Sequence, residues 1–175
     1  LADVAKDPRR GAQDAGQGQL AVLDYGGANI AKAMHVAHLR AAVIGDSIRR
    51  IMGFAGYKTL GDVHMGDWGT HMGMLIDDYI SHNETALVND TDLSSQKSID
   101  ALMDDMAMRY PRASSAAKEN PELMARALAT TVKLQNKEEP YYALWTKIRE
   151  VSVLGMKSNY GLLGVHFDLW KGEAD

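Results

Sequence analysis

The chain has 175 residues, long enough for one domain with a sizeable core. Hydrophobic residues make up 46% and charged residues 24%, and the net charge is −4, which argues against a broad basic face for DNA or other nucleic acid. Cysteine is absent, which removes disulfides, thiolate metal sites and cysteine nucleophiles, and no apolar run approaches the ~20 residues of a membrane span. The first residues lack the hydrophobic core of a signal peptide, so a cytoplasmic location without a membrane partner is expected.

Residues 1–19 are rich in Ala, Asp, Gly and Gln and hold no periodicity, so they read as a linker. The apolar run Leu20-Ala21-Val22-Leu23 fits a buried parallel strand. It ends in Asp24-Tyr25-Gly26-Gly27, and His35-Val36-Ala37-His38 then opens a helix. Leu39, Val43, Ile44, Ile48, Ile51 and Met52 recur at three- and four-residue steps, predicting an amphipathic helix that Gly53 and Gly56 end. Residues 57–63 read as a second strand, closing a right-handed βαβ unit.

The loop 64–70 follows a strand end and so faces the same crevice as the first loop. Met72, Leu75, Ile76, Tyr79 and Ile80 make the next helical stripe, fading at Ser81-His82-Asn83. A polar loop follows over 89–95, with Asp92 or Ser94 as the N-cap of another helix. Ile99, Leu102, Met103 and Met106 place that helix, which should close before Pro111, with 112–120 a surface connection. Leu123, Ala127, Leu128 and Val132 predict one more. A long helix starts near Tyr141 behind Pro140 and stops at Gly164. Val165, Phe167 and Leu169 alternate with polar neighbours as a strand does. The expected division is a linker (1–19), an α/β nucleotide-binding half (20–90), a helical insertion (91–164) and a truncated return strand (165–175).

Strand, glycine turn and helix N-terminus form the place where an open α/β sheet holds a phosphate. His35 and His38, three apart on the first turn, share a face and can direct two ring N–H donors at one anion. The same spacing on a helix also suits a metal: His64, Asp67 and His71 could join His35 in a metal cluster, or His35, His38 and His64 could serve a metal-dependent hydrolase. Asp67 equally suits a cap for the following helix, and Asp24 and Asn29 suit turn residues.

The surroundings of the histidine pair resemble class I arginyl-tRNA synthetases. His35-Val36-Ala37-His38 is similar to the His-Ile-Gly-His signature of that class, with Asn29-Ile30-Ala31-Lys32 before it and Leu39-Arg40 after it. The blocks Gly61-Asp62-Val63-His64-Met65-Gly66-Asp67-Trp68-Gly69-Thr70, Leu134-Gln135-Asn136 and Leu163-Gly164-Val165-His166-Phe167-Asp168-Leu169-Trp170-Lys171-Gly172-Glu173 extend the resemblance. It implies the first half of a Rossmann-type nucleotide-binding fold with a mostly helical insertion. It also implies an arginine–tRNA ligase reaction with arginine, ATP and tRNA as partners, and Mg2+ accompanying ATP.

By the same resemblance, His35 and His38 are catalytic, ATP is bound by Lys32, His35, Ala37 and His38, arginine by Asp24, Gly26 and Asn29, and Gly66, Asp67 and Trp68 line the pocket. Two departures stand out. Ala37 occupies a position where the family has glycine, and Ala28 and Ala33 stand where it often has proline. The lysine-rich second signature of the class has no match, so a catalytic-domain fragment is expected; a non-catalytic, synthetase-derived accessory protein is the alternative.

Overall fold

The computed structural model describes residues 2–175. Strands β1 (Leu20–Asp24) and β2 (Lys58–Asp62) pair in parallel, residue for residue, from Leu20 opposite Lys58 to Asp24 opposite Asp62. Helix α2 (Val36–Phe54) crosses between them, completing the expected βαβ unit. A short helix α1 (Ala2–Lys6) lies in the stretch read as linker, and that stretch is tied to the end of α2 by Gly16 N–H donating to Ala55 O and Gly18 N–H to Gly56 O.

The first strand is not buried on both faces. Leu20 and Val22 are about three-fifths exposed, because their face of this two-stranded sheet is uncovered. Helix α2 also turns the other way from the expected one. Its buried residues are Ala42, Gly45 and Asp46, while Val43, Ile44, Ile48 and Ile51 are exposed. Small residues let the helix approach closely: a Cβ at Gly45 would overlap the Tyr25 ring. Asp46 tolerates burial because Arg49 Nη2 (2.9 Å) and Arg50 Nε (2.6 Å) bond its carboxylate. Burial works against the charge, yet the two guanidiniums hold that carboxyl below its ordinary range.

Helix α3 (Thr70–Ser81) buries Met72, Leu75, Ile76 and Tyr79, as the periodicity predicts. A short helix α4 (Thr85–Asn89) then precedes α5 (Gln96–Glu119). The α5 N-cap is Ser95, whose side chain accepts from Ser98 N–H; Asp92 instead closes a local turn onto Ser94. Contrary to expectation, α5 runs through Pro111 and absorbs residues 112–119. A helix-interior proline costs about 3 kcal/mol. Ion pairs on both sides of it tie the helix down through this point. Arg109, 6% exposed, binds Asp78 (2.8 Å), Glu84 (2.6 Å) and Asp105 (3.1 Å), and Arg112 also reaches Asp78.

Helix α6 (Pro121–Gln135), capped by Asn120, buries Ala127, Thr130, Thr131 and Leu134. Leu128 and Val132 are exposed, against the reading of the stripe. The cause is again close approach, since a Cβ at Gly73 of α3 would overlap Thr131 Oγ1 and Ala127 O. Helix α7 (Tyr141–Leu162) spans the expected stretch and buries Leu144, Trp145, Ile148, Val151 and Tyr160.

The alternating segment after α7 buries Val165 and Phe167 but is not a regular strand. It runs beside β2 through isolated parallel bridges, Asp62 with Leu169 and Met65 with Gly172. The whole is a mixed α/β fold with a Rossmann-like parallel pair and a helical insertion. Among the described residues no helix is long and apolar enough to cross a membrane.

Candidate functional site

The loops after β1 and β2 lie side by side at the carboxyl end of the sheet. Ile30 N–H donates to Gly66 O at 3.1 Å, and Asn29 bridges Gly66 in parallel. The Asn29 amide packs where a side chain at position 66 would lie, so any larger residue there would displace Asn29. Gly26 is required as glycine: its φ is +77°, a Cβ there would sit 2.9 Å from Phe167, and its carbonyl accepts from Tyr160 OH. Ala31, a non-glycine residue at φ +58°, is held by its N–H donating to Ser152 Oγ at 3.0 Å. Ala28 is buried and Ala33 is exposed.

This anchored loop delivers the histidines to the start of α2. The imidazoles of His35 and His38 stack with centroids 3.9 Å apart. His35 Nδ1 accepts from Ala37 N–H at 3.3 Å, and His38 Nδ1 accepts from His35 N–H at 3.4 Å. This is a capping box built from two imidazoles. Accepting at Nδ1 places the ring proton on Nε2, so each ring keeps an N–H donor beyond the cap. Burial, then His35, then Lys32 push the His38 imidazole below the ordinary histidine pKa, which keeps it neutral. His35 and Ala37 are exposed and His38 is half-buried.

Asp24 is exposed at the last position of β1, directly beside Asp62 at the end of β2. One Asp62 carboxylate oxygen is buried without a hydrogen-bond partner among the described residues. The two lie 38 residues apart in the sequence, and the residue-for-residue parallel register sets them side by side. Lys32 lies with Nζ 4.4 Å above the Tyr110 ring.

Asp67 is fully buried, bonded to Arg149 Nε (2.7 Å) and Ala174 N–H (3.1 Å), while its carbonyl accepts from Trp145 Nε1. It is not the cap of α3; Gly69 holds that position. Trp68 is half-buried, edge-on to Trp145 at 4.8 Å, with Gln135 Nε2 donating to its carbonyl. Neither His64, Asp67 and His71 with His35 nor His64 with the histidine pair forms a metal cluster: among the described residues no three His, Cys, Asp or Glu side chains gather as a ligand set.

Comparison with known proteins places this geometry. Residues 2–174 match the family model described as tRNA synthetases class I (R), catalytic domain. The chain is 42% identical over 167 residues to an arginine–tRNA ligase of Alkaliphilus oremlandii, covering 94% of the chain and 28% of that protein. It is 40% identical over 176 residues to one of Maricaulis maris, covering 99% of the chain and 30% of that protein. The crystal structure of Plasmodium falciparum arginyl-tRNA synthetase superimposes with a TM-score of 0.66 at 30% identity, over 90% of this chain and 24% of that one. The Thermus thermophilus arginyl-tRNA synthetase shares the fold, with a TM-score of 0.64 at 18% identity. The chain thus spans less than a third of the length of these relatives.

Proposed function

The chain belongs to the class I arginyl-tRNA synthetase catalytic-domain family, and we propose that it supplies the ATP- and arginine-binding first half of an arginine–tRNA ligase. The observation that carries this reading is the stacked pair His35–His38, capping α2 with both Nδ1 atoms and holding both Nε2–H donors free.

In the proposed reaction an arginine carboxylate oxygen attacks the α-phosphorus of ATP. The bond to the bridging oxygen breaks and pyrophosphate leaves. The 3′-terminal hydroxyl of the tRNA then takes the arginyl group and AMP departs. The Nε2–H groups of His35 and His38 donate to phosphate oxygens as charge builds there, aided by the unpaired N–H groups of the helix start. Lys32 adds a positive charge, and Ala37 lies against the nucleotide. Asp24, with Asp62 beside it, offers carboxylate oxygens to the cationic substrate, and Gly26 and Asn29 shape that side of the crevice. Gly66 and Trp68 form the other side of that crevice, and Asp67, fully buried on Arg149 and Ala174, supports them from behind rather than lining it. Mg2+ would be held by the ATP phosphates, since no protein ligand set gathers among the described residues. In domain terms, 20–90 and 165–175 form the nucleotide-binding half, 91–164 the insertion and 1–19 the lead-in.

Calorimetric titration of Mg-ATP and arginine, with arginine-dependent pyrophosphate exchange, tests the proposal. The chain should bind Mg-ATP weakly, lose that binding in His35→Asn and His38→Asn, and exchange pyrophosphate at no useful rate with or without tRNA. Undetectable Mg-ATP binding would sink the nucleotide reading; brisk exchange by these 175 residues would sink the assignment to one half of an active site. A methyl group at Ala37 favours the second reading, a non-catalytic accessory protein. Pyrophosphate exchange by a longer protein carrying this segment with Ala37 retained would remove it.

A further inference from the structure

Lys32 is the one cation of the first loop that lies near the histidine pair, yet among the described residues it forms no ion pair with a carboxylate. Its ammonium rests instead on the face of Tyr110, 4.4 Å from the ring centroid. Tyr110 belongs to α5 of the insertion and is half-buried against the core. The same ring packs T-shaped with that of His71, on the first turn of α3, with centroids 6.4 Å apart and planes at 86°. His71 Nε2 is buried without a hydrogen-bond partner. Three distant stretches of sequence therefore meet around the Tyr110 ring.

An aromatic face fixes a cation without neutralising it, unlike a carboxylate. A lysine held this way keeps its full charge for an incoming anion and gives up less rotamer freedom when the anion arrives. We propose that Tyr110 and His71 are positioning residues that hold the Lys32 ammonium at a fixed station beside the His35–His38 pair, so that the helical insertion takes part in building the phosphate site. The use of that charge rests on the nucleotide-site reading above; the station itself does not.

Lys32 is felt at both histidines. It lowers the pKa of His38, together with burial and His35. It also lowers that of His71, where burial is the larger cause and the Gly66 backbone, Glu173 and Asp67 act in the opposite sense. Titration of the two rings therefore reports where the ammonium sits.

The experiment follows His38 and His71 by NMR titration in the whole chain, unchanged and as Lys32→Met, Tyr110→Leu and Tyr110→Phe. Lys32→Met should raise the pKa of both rings. Tyr110→Leu should raise that of His38 in the same direction, and Tyr110→Phe, which keeps an aromatic face, should restore it. Mg-ATP should bind about twofold to fivefold more weakly to Tyr110→Leu than to Tyr110→Phe, the range for one exposed cation–π contact. A folded Tyr110→Leu whose His38 titrates as in the unchanged chain would overturn the proposal. Should that variant not fold, Lys32→Met leaving both rings unchanged would overturn it as well. Titrations as expected with no Mg-ATP binding by the unchanged chain would remove the nucleotide reading alone and leave the lysine's station standing.

Discussion

His35 and His38 meet face to face at 3.9 Å, each turning one ring nitrogen to a backbone N–H at the head of α2. Two imidazoles so close can do this only while unprotonated at Nδ1. The His38 pKa is depressed in the folded chain by burial, His35 and Lys32, and that of half-buried His71 by burial and Lys32. A depressed pKa means that the folded state binds fewer protons than the unfolded state. The stabilisation is therefore complete above the unfolded value of about 6.5 and is lost as pH falls through the lower folded values. The melting temperature should drop as the buffer is taken from pH 7 to 5. His71→Gln should carry away one part of the drop and His38→Asn another; a flat profile in the unchanged chain contradicts this.

Asp67→Asn should be the most damaging change in the second loop. The carboxylate is fully buried, ion-paired to Arg149 and bonded to Ala174 N–H. Removing one partner of such a pair costs about 3 kcal/mol. In a chain of this size that is a fall of about 10 °C in melting temperature. Scanning calorimetry checks it, and a shift under about 2 °C would mean that the substituted amide keeps its partners and the Arg149 guanidinium is not left stranded.

Arg109→Met tests why α5 survives its proline. The change leaves Asp78, Asp105 and Glu84 facing one another without the guanidinium between them. A loss of about 3 kcal/mol or more is expected. Arg109→Lys should recover little, because a point-charge ammonium cannot fork among three carboxylates. Amide hydrogen exchange should show protection lost first beyond Pro111, and unchanged protection of residues 112–119 would contradict this.

Ala37→Gly should tighten Mg-ATP binding if the nucleotide base packs on the backbone at this position. The cost to the first turn of α2 should stay at or below about 1 kcal/mol. Binding that is unchanged or weaker would mean that the methyl group never meets the nucleotide.

Much of this is legible in the sequence because the signals are local. The strand, glycine turn and helix start of the βαβ unit lie within residues 20–63, and the histidine pair declares itself by spacing. What escapes reading depends on contacts distant in sequence. The buried faces of α2 and α6 include small or polar residues, Ala42 and Gly45 in one and Thr130 and Thr131 in the other, so Val43, Ile44 and Ile48 of α2 and Leu128 and Val132 of α6 face outward although Ala127 is buried as read. Asp62 next to Asp24, and Tyr110 and His71 around Lys32, come together only through pairings across the fold. Pro111 reads as a stop because the ion pairs that outweigh it come from α3 and the start of α4.

The contact of Gly45 with the Tyr25 ring has a mechanical meaning. That glycine lies ten residues from His35, a lever arm of about 15 Å along the helix axis. A methyl group wedged there would tip the rod, and a tilt of about 5° would swing the imidazoles by about 1 Å, a displacement able to cost a reaction about a hundredfold. The aim of the histidine pair would then be set by a fulcrum about three helical turns away from it.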